Sequence, residues 1–346
     1  MRNTTLALRW LAVGAAVALI ATGCGTSGGG SSGAQTITLY NAQHEQTTDA
    51  LTTAFTQQAG IKVKVRSDGE DVLTAQLEQE GSKSPADVFY TENSPWLAQL
   101  DQRHLLAPID ASTLQQVPSA DNASTGDWIG VSARVSVLVY NTDKLTASQL
   151  PTSVLELADP KWKGKLELAP AETDFWPVVS SVAKTYGDAK ALAWLKGLKA
   201  NAGANDGIPD NETVVSDVNK GTSDMGLINH YYFFRSQAEI GKAAVHSAIS
   251  FFAARDAGYV LDISGAAILK SSKHQVAAQK FVAFLTSAAG QTILAHSDSF
   301  EYPLGDHVAA NSELPPIASL QPNSFSVADL GTGADAKTLL QEAQLL

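Results

Sequence analysis

Two adjacent tyrosines, Tyr231 and Tyr232, carry the most distinctive chemistry in this 346-residue sequence. They stand inside the largely apolar run at residues 227–234. Phenolate oxygens are hard anionic donors, and few biological ions are acidic enough to displace the proton of a tyrosine whose ordinary pKa is about 10. Ferric iron is one of these ions. Taken alone, the same run also fits a buried apolar element whose two hydroxyl groups are satisfied by hydrogen bonds.

Two further segments place polar donors near the start of the chain. Residues 39–44 read Leu-Tyr-Asn-Ala-Gln-His, and residues 84–92 read Ser-Pro-Ala-Asp-Val-Phe-Tyr-Thr-Glu. Together with Ile-Asn-His-Tyr-Tyr at 228–232, they resemble the periplasmic ferric-ion-binding proteins that serve siderophore-independent ABC importers. The resemblance extends over nearly the whole chain after its N-terminal segment, with further matching stretches at 160–163, 194–199, 264–272 and 280–285.

The resemblance implies a ligand set for Fe³⁺, which would be the transported ligand. Tyr231 and Tyr232 match the two phenolate ligands, Glu92 the carboxylate ligand and His44 the imidazole ligand. Two phenolates and one carboxylate balance the charge of Fe³⁺. Alone, His44 also fits a loop or cap histidine, and Glu92 also fits a solvated turn residue. His230 adjoins the tyrosines, but the family does not use that position, so we leave it out of the set.

Family members often complete the coordination with a synergistic anion held by asparagines and a backbone nest. Asn211 and Asn229 match the two asparagines, although Asn211 could also simply cap a helix at 212–218. Arg134 fits either an anion partner or a structural ion pair.

The backbone nest itself does not match. Residues 170–175 read Pro-Ala-Glu-Thr-Asp-Phe, which puts Glu172 and Asp174 where the external anion would lie. Because helix N-termini attract negative charge, a carboxylate of the chain could take the place of that anion. We expect Asp174 rather than Glu172 to do so, and each could also be an ordinary acid at a surface helix start.

Strands and helices alternate along the first part of the chain. Residues 36–40, 61–65 and 86–90 show strand patterns, and helical periodicity precedes Gly60 and covers about 71–80. This order predicts right-handed crossovers and a mainly parallel sheet covered on both faces. His44 and Glu92 each follow a predicted strand, so we expect both at the rim where such sheets bind ligands. Later elements are a strand at 137–140, a helix at 188–199 and a strand at 223–229 that leads into the tyrosines.

The resemblance implies an α/β, two-lobed class II periplasmic-binding-protein fold with a ligand cleft between discontinuous lobes. Lobe one is predicted at 36–135 and 262–312, and lobe two at 136–261 and 313–346. Segments 134–141 and about 260–264 would cross between the lobes. Closure would bring His44 and Glu92 against the tyrosines.

The N-terminus predicts export. Arg2 and Arg9 precede an apolar stretch at 10–20, so residues 1–23 fit a signal peptide, too short for a spanning helix. Cys24 is the only cysteine, which excludes an internal disulfide. Its position resembles a bacterial lipobox, although Ala21 stands where a larger aliphatic residue is usual.

Residues 24–35 are therefore predicted to be a lipidated cysteine followed by a flexible Gly/Ser linker. The alternative is a signal cleavage site beside an incidental cysteine. A lipid at Cys24 would attach an extracytoplasmic globular body to the cell membrane.

Composition fits a soluble globular body: 44% of the residues are hydrophobic and 17% are charged. Without residues 1–23 the chain keeps 22 basic residues against 35 acidic ones, a net charge of −13. Such a surface favours cations and discourages nucleic acid. We expect a monomer with no nucleic-acid partner and no catalytic activity, which delivers ferric iron to an ABC transporter permease.

Two other functions remain open from the sequence. The same fold could bind an organic solute such as a polyamine, thiamine or a sulfonate, with the tyrosines as stacking walls. A zinc hydrolase is less favoured, because the sequence has no His-Glu-x-x-His motif and no recognisable serine nucleophile elbow.

Overall fold

The computed structural model describes residues 35–202, 208–305 and 307–346. The predicted signal peptide, Cys24 and all but the last residue of the predicted linker lie outside the described residues. The strands are β1 Thr36–Ala42, β2 Lys62–Ser67, β3 Val88–Thr91, β4 Leu106–Ala107, β5 Trp128–Asn141, β6 Leu166–Glu167, β7 Met225–Asn229, β8 Ser247–Ser250, β9 Leu261–Leu269 and β10 Tyr302–Pro303. The helices are α1 Glu45–Ala59, α2 Glu70–Glu80, α3 Ser94–Gln102, α4 Ala111–Leu114, α5 Trp176–Tyr186, α6 Asp188–Ala202, α7 Asn211–Lys220, α8 His230–Ile240, α9 Gln275–Thr286, α10 Ala288–Ala295, α11 Val327–Leu330 and α12 Ala334–Glu342.

The predicted strands and helices are all present, with boundaries shifted by a few residues. The largest difference is β5, of which sequence periodicity identified only residues 137–140. Every residue of β5 is buried, and Ser132, Arg134 and Ser136 interrupt its apolar run, so the first part of the strand does not stand out as an apolar segment.

The prediction of a mainly parallel sheet is wrong. β1 pairs in parallel with β2 and β3, and β6 pairs in parallel with β7. The longer strands β5 and β9 instead run antiparallel to their neighbours, so the sheet is mixed, in the order β2-β1-β3-β9-β5-β7-β6. A run of buried apolar residues predicts a strand but not the direction of its partner, which explains the error.

β5 connects two groups of strands. Its first part, residues 128–135, pairs with β9, whereas residues 136–141 pair with β7 and β8. At the change of partner, the Ser136 amide donates to the Val260 carbonyl at 3.1 Å. This arrangement is the predicted two-lobed α/β architecture, with β5 as a crossing strand. The exact lobe boundaries stay a prediction.

Two adjacent strand ends form the rim of the first group. Ala42 at the end of β1 is paired in register with Thr91 at the end of β3, and Glu92 continues this ladder by donating its amide to the Ala42 carbonyl at 3.1 Å. Parallel strands end at the same edge, so His44 and Glu92 emerge side by side, as predicted.

A close approach in the second group positions a third element. A side chain at Gly226 of β7 would collide with Val214 of α7, so glycine allows this helix to lie directly on the strand. That packing fixes the N-terminus of α7 beside the end of β7. Across the described ranges, we find no helix with the length and apolar character needed to cross a membrane.

Candidate metal site

Both tyrosines lie in the first turn of a helix. β7 ends at Asn229 and α8 begins at His230, so Tyr231 and Tyr232 leave the strand as its backbone turns. This confirms the expectation that the pair stands at a strand end or helix start, since neighbours on a regular strand would face opposite sides. Their rings stack on each other with centroids 4.1 Å apart, and both side chains are buried.

The hydroxyl of Tyr231 meets two carboxylates from other parts of the chain. It lies 3.3 Å from Glu92 Oε2 and 3.4 Å from Asp174 Oδ2. On the other side of Glu92, Oε1 lies 3.2 Å from His44 Nδ1. The His44 ring also makes an edge contact with Tyr231, with centroids 5.4 Å apart. The structure therefore brings together His44, Glu92, Tyr231 and Tyr232, which are separated by up to 188 residues in the sequence.

Burial sets the protonation states of these groups. It lowers the pKa of His44 to about 4, so the imidazole is neutral at pH 7, and its buried Nε2 atom has no hydrogen-bond partner. Burial, reinforced by the nearby Asp174 carboxylate, raises the pKa of both tyrosines well above the ordinary value. Burial also raises the pKa of Glu92. A strong Lewis acid would thus meet a free imidazole nitrogen and two phenols that ionise only in its presence.

Arg134 is the buried cation of this cluster. Its Nη1 atom lies 3.1 Å from Glu92 Oε2 and 3.5 Å from Asp174 Oδ1, and its second arm pairs with Glu301. The guanidinium also lies over the ring of Tyr231, 5.1 Å from the centroid. The ion-pair interpretation of Arg134 therefore matches its surroundings.

Sequence reasoning missed Glu301. This carboxylate also accepts hydrogen bonds from the Ser132 hydroxyl at 2.8 Å and from the side-chain amide of Gln43 at 3.3 Å. It is separated from Arg134 by 167 residues, and no motif in the sequence marked it. Its position next to Arg134 follows only from the pairing of β10 with β5.

Asp174 and Glu172 differ sharply in their surroundings. Residues Thr173–Phe175 form a short 3-10 turn that runs directly into α5. Asp174 is only 7% exposed and faces Tyr231 and Arg134, whereas Glu172 is partly exposed at the cleft wall. Burial, with Asp174 nearby, raises the pKa of Glu172 to about 8.

The two predicted asparagines both lie beside this turn. Asn211 donates to Asp174 Oδ2 at 3.5 Å, and the buried Asn229 amide nitrogen has no hydrogen-bond partner. The alternative that Asn211 merely caps its helix is wrong: Asp210 caps α7 by accepting from the Thr213 amide at 2.7 Å. An Asp at this position is a strong N-cap, which leaves Asn211 free to point inward.

His230 lies away from this cluster of oxygens. Its ring stacks on Tyr302 with centroids 4.8 Å apart, and its Nδ1 atom accepts from the Val135 amide at 3.1 Å. Burial lowers its pKa to about 3. These contacts describe a core histidine.

The cluster opens into a cleft of about 760 Å³. Two cationic side chains, Arg235 and Lys337, line it against a majority of acidic ones: Glu45, Asp68, Glu70, Asp71, Glu92, Glu172, Asp174 and Glu212. In the part of the chain that the structure describes, no group of three or more His, Cys, Asp or Glu side chains is arranged to hold a metal ion. Metal binding here would therefore depend on the tyrosines.

Comparison with known proteins gives a consistent picture. Residues 41–292 match the bacterial extracellular solute-binding protein family. The Fe(3+)-binding periplasmic protein of Serratia marcescens is 43% identical over 312 residues, covering 90% of this chain and 91% of that protein. The major ferric iron-binding protein of Neisseria meningitidis is 42% identical over 311 residues, covering 89% and 92%.

Solved structures agree with the sequence matches. Iron-bound HitA from Pseudomonas aeruginosa superimposes with a TM-score of 0.83 at 41% identity, covering 89% of this chain and 99% of that one. A Trichodesmium protein in complex with iron and citrate gives a TM-score of 0.81 at 30% identity, covering 90% and 100%. The chain belongs to the bacterial extracellular solute-binding protein family, and the resemblance to its periplasmic ferric-ion-binding members is confirmed.

Proposed function

We propose that this protein captures Fe³⁺ outside the cytoplasm and delivers it to an ABC importer. The observation that carries the proposal is the meeting of the Tyr231 hydroxyl with Glu92 and Asp174, at 3.3 and 3.4 Å, beside an unpartnered His44 nitrogen. Phenolate, carboxylate and imidazole donors around one point suit a hard trivalent ion. Relatives at 42–43% identity are named for ferric ion binding, which supports the same cargo here.

His44, Glu92, Tyr231 and Tyr232 are the proposed protein ligands. The rings of the two tyrosines stack on each other, and the guanidinium of Arg134 lies over Tyr231. Protein groups thus cover the ring of Tyr231 and one face of Tyr232, which an aromatic solute such as thiamine would need for stacking. This packing favours oxygen donation over stacking as the role of the pair.

Asp174 is the proposed substitute for an external anion. It is buried, its Oδ2 atom lies 3.4 Å from the Tyr231 hydroxyl, and it accepts from Asn211. Glu172 is partly exposed, and no hydrogen bond joins it to either tyrosine in the described part of the chain, so it is the weaker candidate. A carboxylate fixed by the fold supplies negative charge without the entropy cost of capturing a free ion. The Asp174 carboxylate would be oriented by Asn211 and Asn229, and its charge would be offset by Arg134.

We also propose attachment to the membrane by a lipid on Cys24, action as a monomer and the absence of catalytic activity. The predicted signal peptide and Gly/Ser linker support the lipid anchor.

The acidic cleft gives one specific reason to test a polyamine as a second candidate ligand. Ferric ion, supplied as a nitrilotriacetate chelate, should produce a visible phenolate-to-iron absorption band at one ion per chain. Spermidine and zinc should produce no band and should not block iron uptake. A colourless ferric titration, or spermidine binding that excludes iron, would contradict the proposed cargo.

A further inference from the structure

Glu70 is an acidic residue of the cleft that the proposed ligand set does not use. It is the first residue of α2, directly after the N-cap Gly69, where a carboxylate is favoured by the helix dipole. Its side chain reaches the loop between β3 and α3, which carries Glu92. This inference rests on the proposed function, because it concerns how Glu92 is held for the ion.

The Glu70 carboxylate makes four hydrogen bonds across that loop: one to the last residue of β3, two to Asn93 in the loop and one to α3. Its Oε1 atom lies 2.5 Å from the Thr91 hydroxyl and accepts from the Asn93 amide at 2.7 Å. Its Oε2 atom accepts from Asn93 Nδ2 at 2.9 Å and from Trp96 Nε1 at 3.1 Å. Both oxygens are therefore saturated by protein groups, so Glu70 would have to give up these contacts to bind a metal ion.

Hydrogen bonds hold the backbone on both sides of Glu92. The amide of Glu92 is bound to the Ala42 carbonyl, at the end of the β1–β3 ladder. The next amide along the chain, that of Asn93, is bound to Glu70. The peptide planes before and after Glu92 are thus fixed by different elements, which determines the direction in which its side chain leaves the backbone.

The start of α3 shows that the backbone around Glu92 is held by a residue from another helix. Asn93 is the N-cap residue of α3, and an asparagine there ordinarily accepts from an amide of its own helix. Here its side chain makes no such capping bond and instead donates to Glu70. Trp96, on the first turn of the same helix, also donates to Glu70. The loop conformation is therefore set from outside by one carboxylate.

We propose that Glu70 is a positioning residue for metal binding, which holds the Glu92 carboxylate in its ligating direction. Groups that orient metal ligands typically change affinity by roughly 10- to 100-fold when they are removed. Glu70→Gln keeps the size of the side chain but turns an N–H group toward donors. It should therefore speed iron release to a competing chelator by about 10-fold or more and shift the phenolate-to-iron band.

Asp71→Asn is the matched control. It makes the matching acid-to-amide change one residue later, but Asp71 is exposed, and its carboxylate accepts from the backbone amide of its neighbour Val72. Release from this variant should stay within about twofold of the parent protein, as expected for a surface change. Equal release rates and band positions for Glu70→Gln, Asp71→Asn and the parent would overturn the inference.

A double substitution separates positioning from general support of the fold. If Glu70 acts through Glu92, then adding Glu70→Gln to Glu92→Gln should have little further effect on iron release. Fully multiplicative effects in the double variant would overturn the inference. Thermal unfolding of the metal-free variants tests whether they fold. If Glu70→Gln does not fold, Trp96→Phe is a milder substitution, because it removes only one of the four hydrogen bonds to Glu70. A parent protein that forms no visible band would instead refute the proposed function, so the two failures are distinguishable.

Discussion

Asp174→Asn tests whether the chain supplies its own anion at the metal site. The substitution keeps the shape of the side chain and leaves one oxygen, which can accept from either Asn211 or Arg134. It removes one negative charge from a buried point next to the Tyr231 hydroxyl. Two opposing consequences follow, and their balance identifies the role of the carboxylate.

The first consequence concerns the metal-free protein. An ionised carboxylate 3.4 Å from a phenolate oxygen opposes its formation by about 5 kcal/mol at an effective dielectric constant of about 20. Burial and Asp174 together raise the pKa of Tyr231. Asp174→Asn should therefore lower the pKa of Tyr231 toward its ordinary value, which an ultraviolet titration of phenolate absorption can measure.

The second consequence concerns iron. If Asp174 only opposed phenolate formation, its removal would strengthen iron binding. If it occupies the place of an external anion, its removal should weaken binding by roughly 10- to 100-fold in anion-depleted buffer, in the range typical for groups around a metal. Added phosphate, carbonate or citrate should then restore binding in Asp174→Asn.

The assay is a ferric titration followed by visible absorption, with and without each anion. Glu172→Gln is the control, because Glu172 stands two residues earlier in the same turn but is partly exposed. The parent and Glu172→Gln should bind iron without an added anion. Strict dependence of the parent on an added anion, or unchanged affinity of Asp174→Asn without one, would refute the reasoning.

Three further predictions concern the ligands, protons and the membrane. Tyr231→Phe and Tyr232→Phe should each lose most of the visible band and weaken iron binding by at least about 100-fold. The free energy of unfolding of the apoprotein should change by only about 1 kcal/mol in thermal unfolding, and the colour of the parent protein in both variants would contradict phenolate ligation. Iron affinity should fall by about 100-fold for each unit that the pH is lowered, because two phenols must release protons on binding, and His44, whose pKa burial lowers to about 4, should steepen the fall only near that pH. Equilibrium titrations from pH 8 to pH 4 test this, and a flat profile would exclude phenol deprotonation. Cys24→Ala should move the protein from the membrane fraction to the soluble fraction on immunoblots, whereas unchanged membrane retention would indicate an uncleaved signal anchor.

The sequence predicted the positions of the proposed ligands because each stands at a recognisable boundary. His44 and Glu92 follow the ends of neighbouring strands, and the tyrosines begin a helix directly after β7. Strand ends can be located from local periodicity, and parallel neighbours end at one edge. The meeting of the two strand groups came from the family resemblance, since periodicity alone does not pair distant strands.

The contacts that tune the site could not be predicted in the same way. Glu301 lies 167 residues from Arg134, and the partners of Glu70, from Thr91 to Trp96, lie 21–26 positions after it. Periodicity indicates which residues are buried but not which side chains they meet. The antiparallel direction of β5 and β9 was missed for the same reason, because a buried strand has the same composition in either direction.

The surroundings of Arg134 bear on how much negative charge the site can accept. Its one positive charge is shared among Glu92, Asp174 and the fully buried Glu301. The formal charges of these four side chains sum to −2, and buried ions are costly unless they are paired. Fe³⁺ bound to two phenolates and Glu92 is already balanced, and Asp174 then leaves one negative charge in excess beside an arginine that Glu301 has neutralised. A phosphate or carbonate placed in the same position would add charge that no buried cation among these contacts offsets. The charge count of the cluster therefore favours ferric binding without an external anion, for the same reason that Asp174→Asn should create a need for one.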